Sequence, residues 1–247
     1  SRKKHENIMR KLSIVIPCYN ESATISEVIR RVEKAALSGW DREIIVVDDG
    51  STDGCREILA SYRNRIKVMS HEKNSGKGSA VRTGIRGSTG DYVIIQDADL
   101  EYDPSEIRGL LDALDRKEGD MIYGSRNLNP LHTSGFLIPR LGVWLITKMI
   151  NGMYGLKLTD AWTCYKLFPR EAGKYFTGDG FEAEILFTAA AARRGLKIAE
   201  APISHYPRSY EEGKKIRISD GLRAVALLAA DRARNFGSSQ EFPHHDA

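Results

Sequence analysis

Short runs of aliphatic and β-branched residues recur through the first half of the chain: Leu12–Ile16, Glu43–Val47, Ile66–Met69 and Tyr92–Ile95. Turn-forming residues follow each run, so each reads as a short strand. Between them, apolar residues fall at helical intervals. Over Thr24–Leu37 the residues Ile25, Val28, Ile29 and Val32 share one face, with charges opposite. Thr24 with Glu27 three residues on makes the pattern of a capping box. Asp103-Pro104 opens a further helix through Leu114, with proline in its first turn. Met121–Tyr123 reads as a fifth strand. Strands alternating with helices predict right-handed βαβ units. The expected fold class is therefore α/β: a Rossmann-like, mostly parallel central sheet flanked by helices.

The second half is less regular. Phe136–Ile150 is strongly apolar and interrupted by Pro139, Arg140 and Lys148. Phe181–Arg193 predicts a helix, Lys197–Ile203 a strand, and Ile218–Arg234 a basic amphipathic helix. A single domain is expected over 12–234, between a flexible N-terminus (1–11) and a disordered tail (235–247).

Composition narrows the classes. With 247 residues and 41% hydrophobic content the chain can bury a substantial core. The 37 basic and 33 acidic residues leave +4, too weak a bias to argue for nucleic acid. It suits a protein that handles anionic phosphates or rests on an acidic membrane surface. The cysteines Cys18, Cys55 and Cys164 are scattered with no CxxC pair, which argues against a zinc site or a disulfide framework and for a reducing cytoplasm. No apolar leader core and no uncharged apolar stretch of about 20 residues is present, so neither a signal peptide nor a membrane span is expected.

The candidate chemistry sits at the strand ends, where open α/β sheets bind ligands. The first strand is followed by Pro17-Cys18-Tyr19-Asn20-Glu21, the second by Asp48-Asp49-Gly50-Ser51-Thr52-Asp53-Gly54, and the third by Asn74-Ser75-Gly76-Lys77-Gly78-Ser79. The fourth ends in Gln96-Asp97-Ala98-Asp99-Leu100-Glu101. Were that strand to continue, alternation would project Asp97, Asp99 and Glu101 to one side. Clustered carboxylates repel unless a positive charge sits between them, and the usual partner is a hard divalent cation that also meets phosphates. Asp48 and Asp49 offer acceptors for a base edge or ribose, or simply cap a helix. The amides of 74–78 would favour an anion at a helix start.

Spacing removes two familiar motifs. A Walker A loop needs glycine where His71 stands, and a dinucleotide fingerprint needs glycine where Val81 stands. A phosphatase with Asp97 as nucleophile would carry a hydroxyl residue where Glu101 lies.

The blocks Ile14-Val15-Ile16-Pro17-Cys18-Tyr19-Asn20-Glu21, Val46-Val47-Asp48-Asp49-Gly50-Ser51-Thr52-Asp53 and Gln96-Asp97-Ala98-Asp99 resemble family 2 glycosyltransferases of the GT-A fold. Tyr123-Gly124-Ser125-Arg126, Thr159-Asp160 and Gly180-Phe181-Glu182 are similar to the branch of dolichol-phosphate mannose synthases and related polyprenyl-phosphate sugar transferases. The likeness spans about residues 12–220. It implies a donor half (12–126) and an acceptor half (127–234), with amphipathic interface helices in the latter. It implies that Pro17, Tyr19, Glu21, Asp48, Asp49, Gly76, Lys77, Asp97 and Ala98 bind the donor nucleotide, and that Asp97, Asp99 and Glu101 hold Mg²⁺ or Mn²⁺. Arg126, Arg140 and Arg208 are assigned to the acceptor phosphate, and Asp99, Asp160, Arg126 and Arg208 to catalysis. One departure stands out: the synthases tend to carry Asp-x-Thr-x-Gly-Phe-Arg where this chain has Asp160-Ala161-Trp162-Thr163-Cys164-Tyr165-Lys166.

The expected activity is inverting transfer of a hexose, mannose or glucose, from a GDP- or UDP-sugar to a polyprenyl or dolichyl phosphate. A phosphate acceptor is already anionic and needs no base, whereas a hydroxyl acceptor would need one, and Asp160 is the candidate. Phe136–Ile150 with Trp144, and the cations Lys214, Lys215, Arg217 and Arg223, suggest peripheral binding at the cytoplasmic membrane face. That apolar segment also suits a homodimer or membrane-protein partner. Alternatives are a soluble glycosyltransferase acting on a sugar or protein hydroxyl, and a non-catalytic sugar-nucleotide-binding subunit.

Overall fold

The computed structural model describes residues 9–37, 39–129, 137–208 and 218–234, with the side chains of 137–140, 218–220 and 222 left aside. The expected N-terminal and C-terminal tails, and Lys214, Lys215 and Arg217, fall largely or wholly outside these residues. Seven strands form one sheet: β1 (Arg10–Cys18), β2 (Trp40–Asp48), β3 (Lys67–Ser70), β4 (Tyr92–Ile95), β5 (Met121–Ser125), β6 (Lys166–Pro169) and β7 (Ile198–Pro202). Their order is β3-β2-β1-β4-β6-β5-β7. β6 runs antiparallel to both β4 and β5, and the remaining neighbours are parallel. An antiparallel strand between β4 and β5 leaves those two pointing the same way. The carboxyl ends of β1, β2, β3, β4, β5 and β7 therefore share one edge.

Helices α1 (Ile25–Lys34), α2 (Cys55–Ala60), α3 (Lys77–Gly87), α4 (Ile107–Asp115), α5 (Leu137–Tyr154), α6 (Ala183–Arg193) and α7 (Ile218–Arg234) surround the sheet. Alternation along each strand sends neighbours to opposite faces. Ile14, Ile16, Val46 and Ile94 pack with Val28, Ile29, Leu110 and Leu111 on one face. Val15, Ile45, Val93 and Ile95 pack with Ala80, Val81, Ile185 and Phe187 on the other. Burying both faces explains why the strands read as continuous apolar runs. Helix α3 lies close on β1 because Gly84 has no side chain: a Cβ there would stand 2.3 Å from Val15 Cγ1. No helix among the described residues is long and apolar enough to cross a membrane.

Two local expectations are corrected. Thr24 precedes α1 but forms no capping box. Its hydroxyl donates to Ala98 O at 2.7 Å, tying the helix to the acidic turn, while Glu27 pairs with Arg30 and Arg31. The acidic cluster is also not an extended strand. β4 ends at Ile95, and Leu100 takes a left-handed conformation (φ 65°). The three carboxylates converge through a turn rather than through strand alternation. The helix after Asp103 forms as expected, with a short 3-10 turn at Pro104–Glu106 and the Asp103 carboxylate accepting from Ser105 N at 2.9 Å.

Candidate active site

A cavity of about 330 Å³ opens at the shared carboxyl edge. Pro17, Tyr19, Glu21, Asp49, Gly76, Lys77, Asp97, Ala98, Asp99, Glu101, Arg126 and Arg208 all line it, so most of the site residues named from sequence come together. Asp48 and Asp160 are fully buried and lie behind the wall. Arg140 belongs to α5, but its side chain lies outside the described residues.

The loops are fixed by carboxylates. Asp48 accepts from Ser51 N at 3.0 Å and from Arg56 Nε at 3.1 Å. Asp49 accepts from Ser75 N (3.0 Å) and Gly76 N (2.8 Å) and lies 2.6 Å from His71 Nδ1. The amides of Gly78 and Ser79 donate to Asp179 O. The amides at the start of α3, expected to cradle an anion, are thus largely engaged by protein oxygens. Gly76 makes this crossing feasible, with φ 93° and Asp179 O only 2.3 Å from where a Cβ would stand.

Positive charge in this corner comes instead from Lys77. Its ammonium lies 2.7 Å from Asp97 Oδ1, 3.0 Å from Glu184 Oε1 and 2.8 Å from Cys164 Sγ. Burial works against that charge, but Asp97, Cys164 and Glu184 outweigh it and hold the lysine well above its ordinary pKa. Glu184, almost fully buried, also stands 3.8 Å from Lys166 Nζ. Its oxygens make ion-pair contacts rather than hydrogen bonds. Burial lowers the Lys166 pKa against the pull of Glu184.

The other side of the acidic turn is closed by Arg208. Nη1 and Nη2 each donate to a Glu21 oxygen at 3.0 Å, and Nη2 lies 3.3 Å from Asp99 Oδ2. Glu101 accepts from Arg208 N at 2.9 Å and contacts His205 Nε2 at 3.0 Å. Burial would raise Glu101, yet these contacts hold its carboxyl below the usual range. Asp99 is pushed up to about 7, first by burial and then by the charges of Asp97 and Glu101.

Arg126 projects from the end of β5. Its Nε and Nη2 fork onto Asp160 at 2.6 and 2.8 Å, and its amide donates to the same carboxylate at 3.2 Å. Burial tends to raise Asp160, but the Arg126 charge and hydrogen bonds pull its pKa below the ordinary value. The amide of Asp160 donates to Glu200 Oε1 at 2.9 Å, fixing the loop on β7.

The donor set suits a hard cation in part. Asp97 and Asp99 offer oxygen ligands, and a divalent charge would relieve the crowding that raises Asp99. Glu101 has both oxygens engaged, and no group of three His, Cys, Asp or Glu side chains among the described residues forms a metal cage. Such an ion would draw its other ligands from phosphate and water, as Mg²⁺ commonly does.

Sequence reasoning missed Glu184, Tyr102, Cys164 and His205, and it tied Trp162 only to the acceptor side. Tyr102 stacks on Tyr165 at 5.0 Å and tilts against His205 at 5.4 Å, supporting the acidic turn from below. Glu184 reads in sequence as one more acidic helix residue, and only Lys77 and the buried Lys166 beside it reveal its place.

The model of the family described as glycosyl transferase family 2 matches residues 13–176. The low-salt glycan biosynthesis hexosyltransferase Agl6 of Haloferax volcanii is 32% identical over 237 residues, covering 90% of this chain and 54% of that protein. Glycosyltransferase AglJ of the same organism is 31% identical over 199 residues, 79% of this chain and 63% of that protein. The chain thus spans just over half to under two thirds of these relatives. The dodecaprenyl-phosphate galacturonate synthase of Rhizobium johnstonii is 27% identical over 235 residues, 91% of this chain and 69% of that protein. In fold, the chain is similar to glucosyl-3-phosphoglycerate synthase from Mycobacterium tuberculosis, crystallised with Mn²⁺, UDP-glucose and phosphoglyceric acid. The TM-score is 0.70 at 24% identity, over 91% of this chain and 80% of that one.

Proposed function

Because the chain belongs to glycosyl transferase family 2, we propose that it transfers a hexose, with inversion, from a nucleotide-diphosphate sugar to a polyprenyl or dolichyl phosphate. One observation carries the choice of acceptor. The carboxylate a hydroxyl acceptor would need as base, Asp160, is buried, forked by Arg126 and held below its ordinary pKa. A group so engaged accepts a proton poorly. An anionic phosphate needs no base, only alignment. A relative named for a dodecaprenyl phosphate product supports the same acceptor class.

In this reading residues 12–126 carry the donor and 127–234 the acceptor. Pro17 and Tyr19 border the nucleoside, and Lys77 contacts donor phosphate oxygens. Asp97 and Asp99 would hold Mg²⁺ or Mn²⁺, which when bound neutralises charge on the leaving nucleoside diphosphate. Arg126 and Arg208 align the acceptor phosphate, and Asp160 keeps the Arg126 guanidinium in one orientation. A phosphate oxygen of the acceptor attacks the anomeric carbon. The bond to the diphosphate oxygen breaks, and its electron pair departs with the nucleoside diphosphate.

A lipid acceptor also gives a use to α5. Leu141, Trp144 and Leu145 are 65%, 55% and 51% exposed and share one helix face by their i, i+3, i+4 spacing. That face would rest in the headgroup region of the cytoplasmic leaflet. The test is incubation with labelled GDP- and UDP-hexoses and a short polyprenyl phosphate, with and without EDTA, followed by organic extraction. Label should enter the organic phase only without EDTA. Label confined to the aqueous phase for every donor rejects the lipid acceptor.

A further inference from the structure

Cys18 ends β1, and Cys55 begins α2, 37 positions later. Their sulfurs nevertheless stand 3.0 Å apart in the core, both as free thiols. A disulfide bond is about 2.05 Å long, so about 1 Å of approach separates the two states. The scattered spacing in sequence gave no sign of this pair.

The surrounding backbone holds the sulfurs together. Asp49 N donates to Cys18 O at 2.7 Å. Asn20 N donates to Ser51 Oγ at 2.9 Å, Thr52 N to Asn20 Oδ1 at 2.8 Å, and Ser22 N to Asp53 Oδ2 at 2.8 Å. The other Asp53 oxygen accepts from Cys55 N at 3.0 Å. The segments after β1 and β2 are thus laced on either side of the cysteines, and a reaction between groups held this way gains a large effective concentration.

We infer that Cys18 and Cys55 are a modification site, a dithiol that closes to an intramolecular disulfide when it meets a low-molecular-weight disulfide. The hydrogen bond from Cys18 holds the Cys55 thiol below its ordinary range, and the same contact, with burial, pushes Cys18 up. Cys55 is thus the more acidic of the two, and its thiolate is the nucleophile in the first step. Cys55 is itself buried while the turn Thr52–Gly54 before it is exposed, so the reagent meets the thiol when that turn opens. The Cys55 thiolate attacks one sulfur of the reagent, whose S–S bond breaks to release a first thiolate. Cys18 then attacks Cys55 Sγ, and its proton passes to the second reagent thiolate as that group is expelled. The protein dithiol gives up two electrons and two protons, and the reagent disulfide becomes two thiols.

Closure has a consequence for the cavity. Cys18 lines it, as do its neighbours Pro17 and Tyr19 and the nearby Glu21. Drawing Cys18 toward Cys55 pulls this wall away from the nucleotide, so the oxidised protein binds donor severalfold more weakly. This second part rests on the donor site proposed above.

The test treats the full chain with oxidised glutathione, alkylates remaining thiols, digests, and maps peptides by mass spectrometry. The expected result is a Cys18–Cys55 linked peptide, lighter by two hydrogens, with Cys164 recovered alkylated and the link lost on adding dithiothreitol. Recovery of Cys18 and Cys55 as separate alkylated or glutathionylated peptides overturns the dithiol. Cys55→Ala and Cys55→Ser, checked for folding by thermal melting, should show no change in nucleotide affinity on oxidation. Calorimetry with GDP or UDP and Mn²⁺ then reads the second part. Equal affinity of reduced and oxidised protein overturns the effect on the cavity. Absence of binding by both forms counts against the glycosyltransferase reading instead, and the peptide map alone then decides the dithiol.

Discussion

The guanidinium of Arg208 grips both carboxylate oxygens of Glu21 at 3.0 Å while the same Nη2 lies 3.3 Å from Asp99 Oδ2. One side chain thereby joins the segment after β7, the segment between β1 and α1, and the acidic turn. Its charge is the counterweight to three carboxylates, since Glu101 Oε1 also lies 4.0 Å from Nε. The planar fork cannot be reproduced by an ammonium.

Arg208→Lys should therefore fold but lose activity. Removal of one positioned donor at a site of developing charge lowers turnover by about 100-fold or more, and that loss is expected here in kcat, read by steady-state kinetics. Activity within a few-fold of the parent would show that the fork has no part in the reaction.

Asp160 makes a pH prediction. Its folded pKa is depressed, so its contribution to stability is present above the unfolded value near 3.9 and is lost as pH falls through the folded pKa. Asp160→Asn should cost about 3 kcal/mol near neutral pH, by stranding the largely buried Arg126 guanidinium. It should also flatten the acid limb of the stability curve, measured by urea denaturation from pH 3 to 7. In the same variant, activity should exceed that of Asp97→Asn. The reverse order would restore Asp160 as a base.

Lys77 and Glu184 should act as a unit. Lys77→Met removes a charged contact to the donor, worth about 1.5–3 kcal/mol, and is expected to raise donor KM about tenfold or more. Glu184→Gln leaves Lys77 in place but loosens it. A smaller KM rise is expected, together with a lower melting temperature, and the double variant should fall short of the sum.

The exposed face of α5 is tested by Leu141→Ser, Trp144→Ser and Leu145→Ser combined. Sedimentation with anionic vesicles should drop while turnover on a short, water-dispersed polyprenyl phosphate persists. Unchanged sedimentation would remove α5 from the membrane contact.

Much of the donor half was legible because β1, β2 and β4 are buried on both faces and every run is followed by turn residues, so aliphatic runs mark these strands and the edge strand β3 to within a few residues. The family likeness placed Asp97, Asp99, Arg126 and Arg208 on one cavity. β6 was not legible: Lys166-Leu167-Phe168-Pro169 is short, opens on a buried lysine whose ammonium is received by the carbonyls of Ala161 and Thr163 beside Glu184 and Tyr123, and runs against its neighbours. The reach of Asp49 to the amides of 75 and 76, and of Thr24 to Ala98, are contacts distant in sequence that no local pattern encodes. The same holds for Cys18 beside Cys55. Leu100 shows the converse case, since a left-handed leucine, at about 1–2 kcal/mol, replaces the extended chain that the preceding aliphatic run Tyr92–Ile95 suggests.

The central claim is that Asp97 and Asp99 bind the donor diphosphate through a divalent cation. Calorimetric titration of the parent and of the Asp97→Ala, Asp99→Ala double variant with the nucleoside diphosphate and Mn²⁺ tests it most directly. The expected outcome is a metal-dependent binding isotherm for the parent that is absent for the variant, with matching far-ultraviolet dichroism. Equal affinity in both proteins, or binding in the parent that survives EDTA unchanged, would contradict it.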